Sequence, residues 1–255
     1  MAFAVITPTI GTKDLEKCID SVRKQDCNHH LFVDGRENLP EVEAIVDRFM
    51  CERLSINVID RNIGKGWYGH RVYAAAAFLL NEDVLCYLDE DNWIEPNYIQ
   101  AFKDVLEDPA NRWAYTLRRI MSPEGEFVCD DNCESLGHHH VMGEPTRFHI
   151  DTGCFAVPRD LAAKVGHNWY GQWGADRKFF AALKAEAPEF GSTMLHTLNY
   201  RLGGNTSLLT QDMFLRGNQF ASEVYKGEYP WHTKKSNRLS SQFLYYHTTS
   251  PKPLS

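Results

Sequence analysis

Residues 84–92 read VLCYLDEDN. Strand-forming, mostly apolar residues run from Val84 to Leu88 and stop at three consecutive carboxylates, Asp89, Glu90 and Asp91. Such a strand is buried, yet its end must reach solvent, because adjacent acids cannot all be charged in a core. The carboxyl edge of a sheet is where open α/β folds bind ligands. Acids so crowded repel one another unless a cation sits among them, and hard oxygen ligands suit Mg²⁺ or Mn²⁺. Two readings follow: a metal site that clamps phosphates, or a solvated acidic turn.

The residues before this strand alternate between two periods. Phe3–Thr7, His30–Val33, Ser55–Ile59 and Val84–Leu88 have strand composition. Between them, Lys13–Lys24 carries Leu15, Cys18, Ile19 and Val22 at helical spacing, and the segment 41–51 carries Val42, Ile45, Val46 and Phe49. Residues 66–80 end in an Ala-rich helix, and Pro96 opens another that runs to about Leu106. Strand–helix alternation predicts a mainly parallel sheet. Past residue 110 the pattern changes. Trp113–Arg119 and Glu126–Val128 read as strands around a Ser-Pro-Glu-Gly turn, followed by a His-rich stretch and a strand at Gly153–Val157. Helices are expected at Arg159–Val165, Ala175–Ala185 and Gln211–Tyr225, with Met194–Asn199 extended and the SPKPLS tail loosely ordered.

Composition narrows the class. With 27 Lys plus Arg against 34 Asp plus Glu and no long basic run, the chain lacks the footprint of a nucleic-acid backbone binder. No stretch approaches the ~18 apolar residues of a membrane span. The start, MAFAVITP, reads as a strand, not a secretion signal. Seven scattered cysteines, an odd number, suggest a reducing, cytoplasmic setting.

Four segments now line up: VITPTIG after strand one, LFVDG after strand two, RNIGKGWYGHR before the Ala-rich helix, and YLDEDN after strand four. With CIDSVRKQ at residues 18–25, they resemble the family 2 glycosyltransferases of the GT-A fold, in order and spacing over residues 3–107. DTGCFAVPRDLA, 151–162, and WGADRKFF, 173–180, extend the likeness more loosely. The resemblance implies a single GT-A domain over 1–255. Residues 1–110 form its nucleotide-sugar half, and 111–255 its acceptor half with a C-terminal extension.

It also implies roles. Asp91, the last acid of D-x-D, is a metal ligand. Asp89 faces the donor's ribose or a metal-bound water, and Glu90 faces away, since neighbours on extended chain alternate. Asp34 accepts from the nucleotide base, or caps the Asp-Gly turn. Thr7, Pro8 and Thr9 line the base pocket. Arg71, with Lys65, contacts nucleotide or phosphate, unless Arg71 makes a surface ion pair. Asp176 is the general base, although Ala175 stands where the family often has an acid, or it is a helix N-cap; Asp151 is the alternative base. His196 completes the metal site or is structural.

Two further groups stay open. CDDNCESLGHHH, 129–140, could hold zinc, but fits no standard spacing; an acceptor-side loop with Glu134 and the histidines exposed is the other reading. Trp67, Trp93, Trp169, Tyr170 and Trp173 could stack on sugars or pack inside.

The expected function is inverting transfer of a hexose from a nucleotide sugar, first a UDP-sugar, to a carbohydrate or other hydroxyl acceptor, assisted by Mn²⁺ or Mg²⁺. One rival is a nucleotidyltransferase; TPTIGTKD, poor in Gly, is unlike the Gly-rich phosphate loop that activity needs. The other is a noncatalytic carbohydrate-binding protein on the same fold.

Overall fold

The computed structural model describes residues 1–49, 52–204 and 209–232. The expected ordering of the SPKPLS tail, and residue 51 at the end of the second helical segment, lie outside them.

Strand β1, Phe3–Thr9, sits between parallel neighbours β2, Asn28–Asp34, and β4, Val84–Tyr87; β3, Leu54–Ile59, extends the sheet beyond β2. Phe3–Ile6 and Val84–Tyr87 are buried throughout, as strands covered on both faces must be. Helix α1, Leu15–Val22, turns Leu15, Cys18, Ile19 and Val22 inward. Helix α2, Leu39–Val46, buries Val42, Ile45 and Val46. Helices α3, His70–Leu79, and α4, Tyr98–Leu106, complete this half. The α3 helix begins where Gly69, at φ 73°, ends the preceding loop.

The sheet is parallel through these four strands and becomes mixed beyond them. A two-residue β5, Trp93–Ile94, follows the acids. Then come β6, Trp113–Met121; β7, Phe127–Asp130; β8, Phe155–Pro158; and β9, Phe190–Arg201. The order is β3-β2-β1-β4-β8-β6-β9-β5, with β7 also on β6. β8 is antiparallel to β4 and β6, whereas β6 and β9 run parallel. One sheet therefore carries both halves of the chain. Helices α5, Arg159–Val165, and α6, Ala175–Glu186, pack on it, and α7, Gln211–Tyr225, follows β9.

The main core gathers Tyr87, Phe155, Trp169 and Phe179 between sheet and helices, with Trp169 stacked on Phe179 at 4.4 Å. Among the described residues no helix is long and apolar enough to cross a membrane.

Candidate active site

The carboxyl ends of β1, β2 and β4 open into a cleft of about 1010 Å³. Single-ligand pockets span about 300–1,000 Å³, so this one lies at the large end of that range. Its lining includes Pro8, Thr9, Asp34, Lys65, Asp89, Glu90, Asp91, Asp151 and Asp176, drawn from six separate parts of the sequence.

Asp34 ends β2, and its Oδ1 accepts from the Ile63 amide at 2.7 Å. Its main-chain carbonyl takes the side-chain amides of Asn38 and Asn62. The RNIGKG loop is thereby pinned to the end of β2, which places Lys65 in the cleft. Gly64 lies against the Asp34 carboxylate, and a side chain there would collide with it.

The acid run divides by direction. Asp89 accepts from the Tyr73 hydroxyl at 2.7 Å. Burial, then the neighbouring Asp91, push its carboxyl well above the usual range. Asp91 is raised to about 6 by burial, opposed by the Arg201 guanidinium. Glu90 does not turn away as the alternation of extended chain suggested. It accepts from the Thr9 hydroxyl at 2.6 Å and the Thr12 amide at 3.3 Å, so it fastens the loop after β1. The chain has already left β4 at this point, and strict alternation no longer applies.

Asp176 opens α6 and accepts from the Arg177 amide at 2.7 Å. Its Oδ2 lies 3.7 Å from Nε2 of His149, which burial holds down at about 4 and therefore neutral near pH 7. Asp151 is engaged differently. Its Oδ1 accepts from the Gly153 amide, and its Oδ2 from Arg118. Arg118 is fully buried and also binds Asp131 and Glu134. Burial opposes charge on Asp131, but Arg118 and the Cys133 and Ser135 amides outweigh it and hold its carboxyl below the usual range. Arg118 faces Tyr200 at 4.6 Å. Both Asp151 oxygens are thus engaged, while burial, opposed by Arg118, raises its carboxyl above the usual range.

Three expected residues lie elsewhere. Thr7 is wholly buried, with its hydroxyl 3.0 Å from His29 Nε2, because it lies inside the strand; Pro8 and Thr9, at the end of β1, reach the cleft. Arg71 donates to the Ile63 carbonyl at 3.1 Å and lies 4.0 Å over Trp67, bracing the loop from behind. His196 sits in β9 opposite Leu117, beside the His232 ring at 5.2 Å and close to Asp130. It is not part of the cleft lining, because its place in β9 directs it towards β7 and the Pro230–His232 turn.

The 129–140 stretch is organised around Asp131, which takes the Cys133, Glu134 and Ser135 amides and pairs with Arg118. Glu134 is buried and lines the cleft, and the histidines are half-buried, so neither is exposed as expected. His138 stacks on Phe190 at 4.0 Å. Among the described residues no group of three His, Cys, Asp or Glu side chains is arranged to hold a metal ion. A diphosphate-bound Mg²⁺ needs less, since it commonly takes one or two carboxylates and fills its shell with phosphate oxygens and water. Asp89 and Asp91, buried acids with raised affinity for protons, meet that requirement.

Sequence reasoning passed over Arg118, His149, Arg177, Arg201 and Tyr68, all of which line the cleft. Only Tyr68 carried a signal: it lies between two glycines in the KGWYG segment of a loop already marked.

A family model described as Glycosyl transferase family 2 matches residues 4–163. The chain belongs to that family. An uncharacterized protein of Haemophilus influenzae is 35% identical over 75 residues, 29% of this chain, which spans about half (51%) of that relative's length. Among solved structures, TarS 1-349 of S. aureus superposes with a TM-score of 0.59 at 12% identity, covering 94% of this chain and 78% of that one. The same protein in complex with UDP-GlcNAc gives 0.62 at 12% identity, covering 95% and 73%. At that identity the likeness establishes the fold of this family 2 chain, which is GT-A.

Proposed function

We propose that this chain is an inverting glycosyltransferase that moves a hexose from a UDP-sugar to a hydroxyl acceptor. The observation that carries the reading is the convergence of Asp34, Asp89, Asp91 and Asp176 on one cleft at the carboxyl edge of the sheet. The TarS complexes with UDP and with UDP-GlcNAc support a uridine diphosphate sugar as the first donor to test.

In this reading Asp34 keeps Oδ2 for the uracil N–H while Oδ1 holds the loop, and Pro8 and Thr9 line the base pocket. Lys65 supplies positive charge for the phosphates. Asp91 would hold Mn²⁺ or Mg²⁺, with Asp89 on the ribose or on a water of that ion. The ion, when bound, stabilises negative charge developing on the departing diphosphate. Asp176 takes the acceptor's proton as that oxygen attacks the anomeric carbon, so that no covalent enzyme intermediate is needed. Residues 1–110 serve the donor, and the later elements serve the acceptor. A cytoplasmic setting suits the six described cysteines, all of them free.

The test is product analysis with UDP-hexoses and Mn²⁺ or Mg²⁺. Release of UDP, lost on chelation and restored by the ion, is expected. Release of pyrophosphate from a nucleoside triphosphate and a sugar phosphate would instead mean nucleotidyl transfer. Sugar binding without turnover of any donor would mean a noncatalytic protein.

A further inference from the structure

Most of the described residues that line the cleft are charged or polar by type, yet two large rings stand open among them. Tyr68 is 37% exposed and Trp173 is 43% exposed. They approach each other edge-on, with centroids 6.2 Å apart and planes at 69°. Both are held by construction. Tyr68 has φ 51°, a left-handed conformation that costs a bulky residue energy and persists only when its surroundings impose it. Next to it Gly69, at φ 73°, presses on Pro8, where an added Cβ would come within 2.7 Å of the ring. The loop carrying Tyr68 is zipped to the one carrying Trp173: Trp67 meets Tyr170 at 4.7 Å, and His70 Nδ1 lies 2.9 Å from the Gly171 carbonyl oxygen. Trp173 stands three residues before Asp176, where α6 begins.

From this juxtaposition we propose that Trp173, backed by Tyr68, is a stacking platform for a pyranose ring of the acceptor, so that the acceptor is a saccharide. The inference rests on the functional reading above, which gives the Asp34 side of the cleft to the donor and the Asp176 side to the acceptor. A pyranose has an apolar C–H face and a rim of hydroxyls. An aromatic face beside a carboxylate matches both parts, for the ring stacks while a rim hydroxyl meets Asp176. A lipid tail would need an apolar lining free of charge, whereas this cleft carries Asp89, Asp91, Asp151, Asp176, Arg177 and Arg201. Gross misalignment of the stacked ring would carry the reacting hydroxyl away from the base, so the platform also fixes which hydroxyl is used.

The test uses the full chain with UDP and Mn²⁺, and as probes the methyl pyranosides of glucose, galactose, mannose and N-acetylglucosamine. Saturation-transfer NMR, irradiating aromatic protons, reports which sugar C–H groups touch rings. Transfer to one face of at least one pyranoside is expected. Trp173→Ala should weaken that binding about tenfold, whereas Trp173→Phe, which keeps a ring, should retain most of it. UDP affinity by calorimetry should change less than about twofold in either variant, because the ring contact of Trp173 is with Tyr68 and not with the residues assigned to the nucleotide base. The inference is overturned if no pyranoside receives saturation, if transfer survives Trp173→Ala unchanged, or if a Ser/Thr peptide occupies the rings and the sugars do not. Failure of the wild type to bind UDP would overturn the donor reading itself, and this inference with it.

Discussion

Replacing Asp91 with Asn should stabilise the protein in the absence of divalent cation, and more so as pH rises. In the folded chain its carboxyl moves from 3.8 to about 6, because burial penalises its charge more than Arg201 relieves it. The sign follows from linkage. A carboxyl whose folded pKa is raised binds its proton more tightly when folded, so folding is favoured at low pH and loses ground as pH climbs from about 4 to 6. Each tenfold difference in proton affinity is worth about 1.4 kcal/mol, so an ionised Asp91 costs the folded state about 3 kcal/mol at pH 7. Asp91→Asn keeps the shape and removes the charge. It also relieves Asp89, whose carboxyl is raised in part by Asp91. Urea unfolding of both proteins in EDTA, from pH 4 to pH 7.5, measures the difference. Carboxylates such as Asp20 and Asp131, held low by their partners, slope the other way, but they are common to both chains and cancel. The expected gap is near zero at pH 4 and about 2–3 kcal/mol in favour of Asn above pH 6. Adding UDP and Mn²⁺ should close or reverse it, since a ligand that binds only the folded wild type stabilises it by mass action. A variant less stable than wild type at pH 7 in EDTA would refute the account of a repulsive acid cluster waiting for a cation.

Asp176→Asn should leave UDP affinity nearly intact and slow transfer roughly 10²-fold or more, measured with a confirmed acceptor at saturating donor. Asp34→Ala should weaken UDP binding by about 1.5–3 kcal/mol in calorimetry, with some loss from release of the Ile63 amide. Arg118→Ala strands three buried acids, and urea unfolding should show a loss of about 3–5 kcal/mol or more; Arg118→Lys should recover little of it, because one ammonium cannot replace the planar fork that reaches Asp131, Glu134 and Asp151 together. His196→Ala should leave the Mn²⁺ dependence of transfer unchanged, because the ring lies on β9 beside His232; a shifted metal titration would place it back at the site.

The parts of the fold that were legible in the chain are those where one physical demand dominates. The strands β1 and β4 are covered on both faces, so their apolar runs announce them, and α1 shows its buried stripe directly. The acids at the end of β4 could only be at an edge, so Asp89 and Asp91 are legible from the chain alone, whereas Pro8, Thr9 and Asp34 are marked by the resemblance to family 2. Where a segment's polar groups satisfy one another inside, that logic fails. Strand β9 runs from Phe190 to Arg201, but only Met194–Asn199 reads as extended, because Ser192 and Thr193, buried polar residues, break the expected pattern before it. They are tolerated because hydroxyls pair across the sheet: Thr116 Oγ1 lies 2.7 Å from Thr197 Oγ1 and accepts from Thr193 at 2.9 Å. The same principle hid Arg118, a charge that sequence patterning assigns to the surface and that three carboxylates, distant in sequence, keep inside.

That blind spot has a direction. Sequence patterning recognises residues that need water or avoid it, and misses residues whose needs are met by partners brought from afar. The side of this cleft that we assign to the donor is built from strand ends close together in the sheet, β1, β2 and β4, so its residues betray themselves locally. The side that we assign to the acceptor is built from His149, Asp151, the loop before α6 and the end of β9, and each of these acquires its meaning only from the others. Arg118 joins 118 to 131, 134 and 151, and His149 reaches Asp176. At Asp176, beside the uncharged Ala175, the neutral His149 comes from a distant part of the chain, a partner that no local pattern announces.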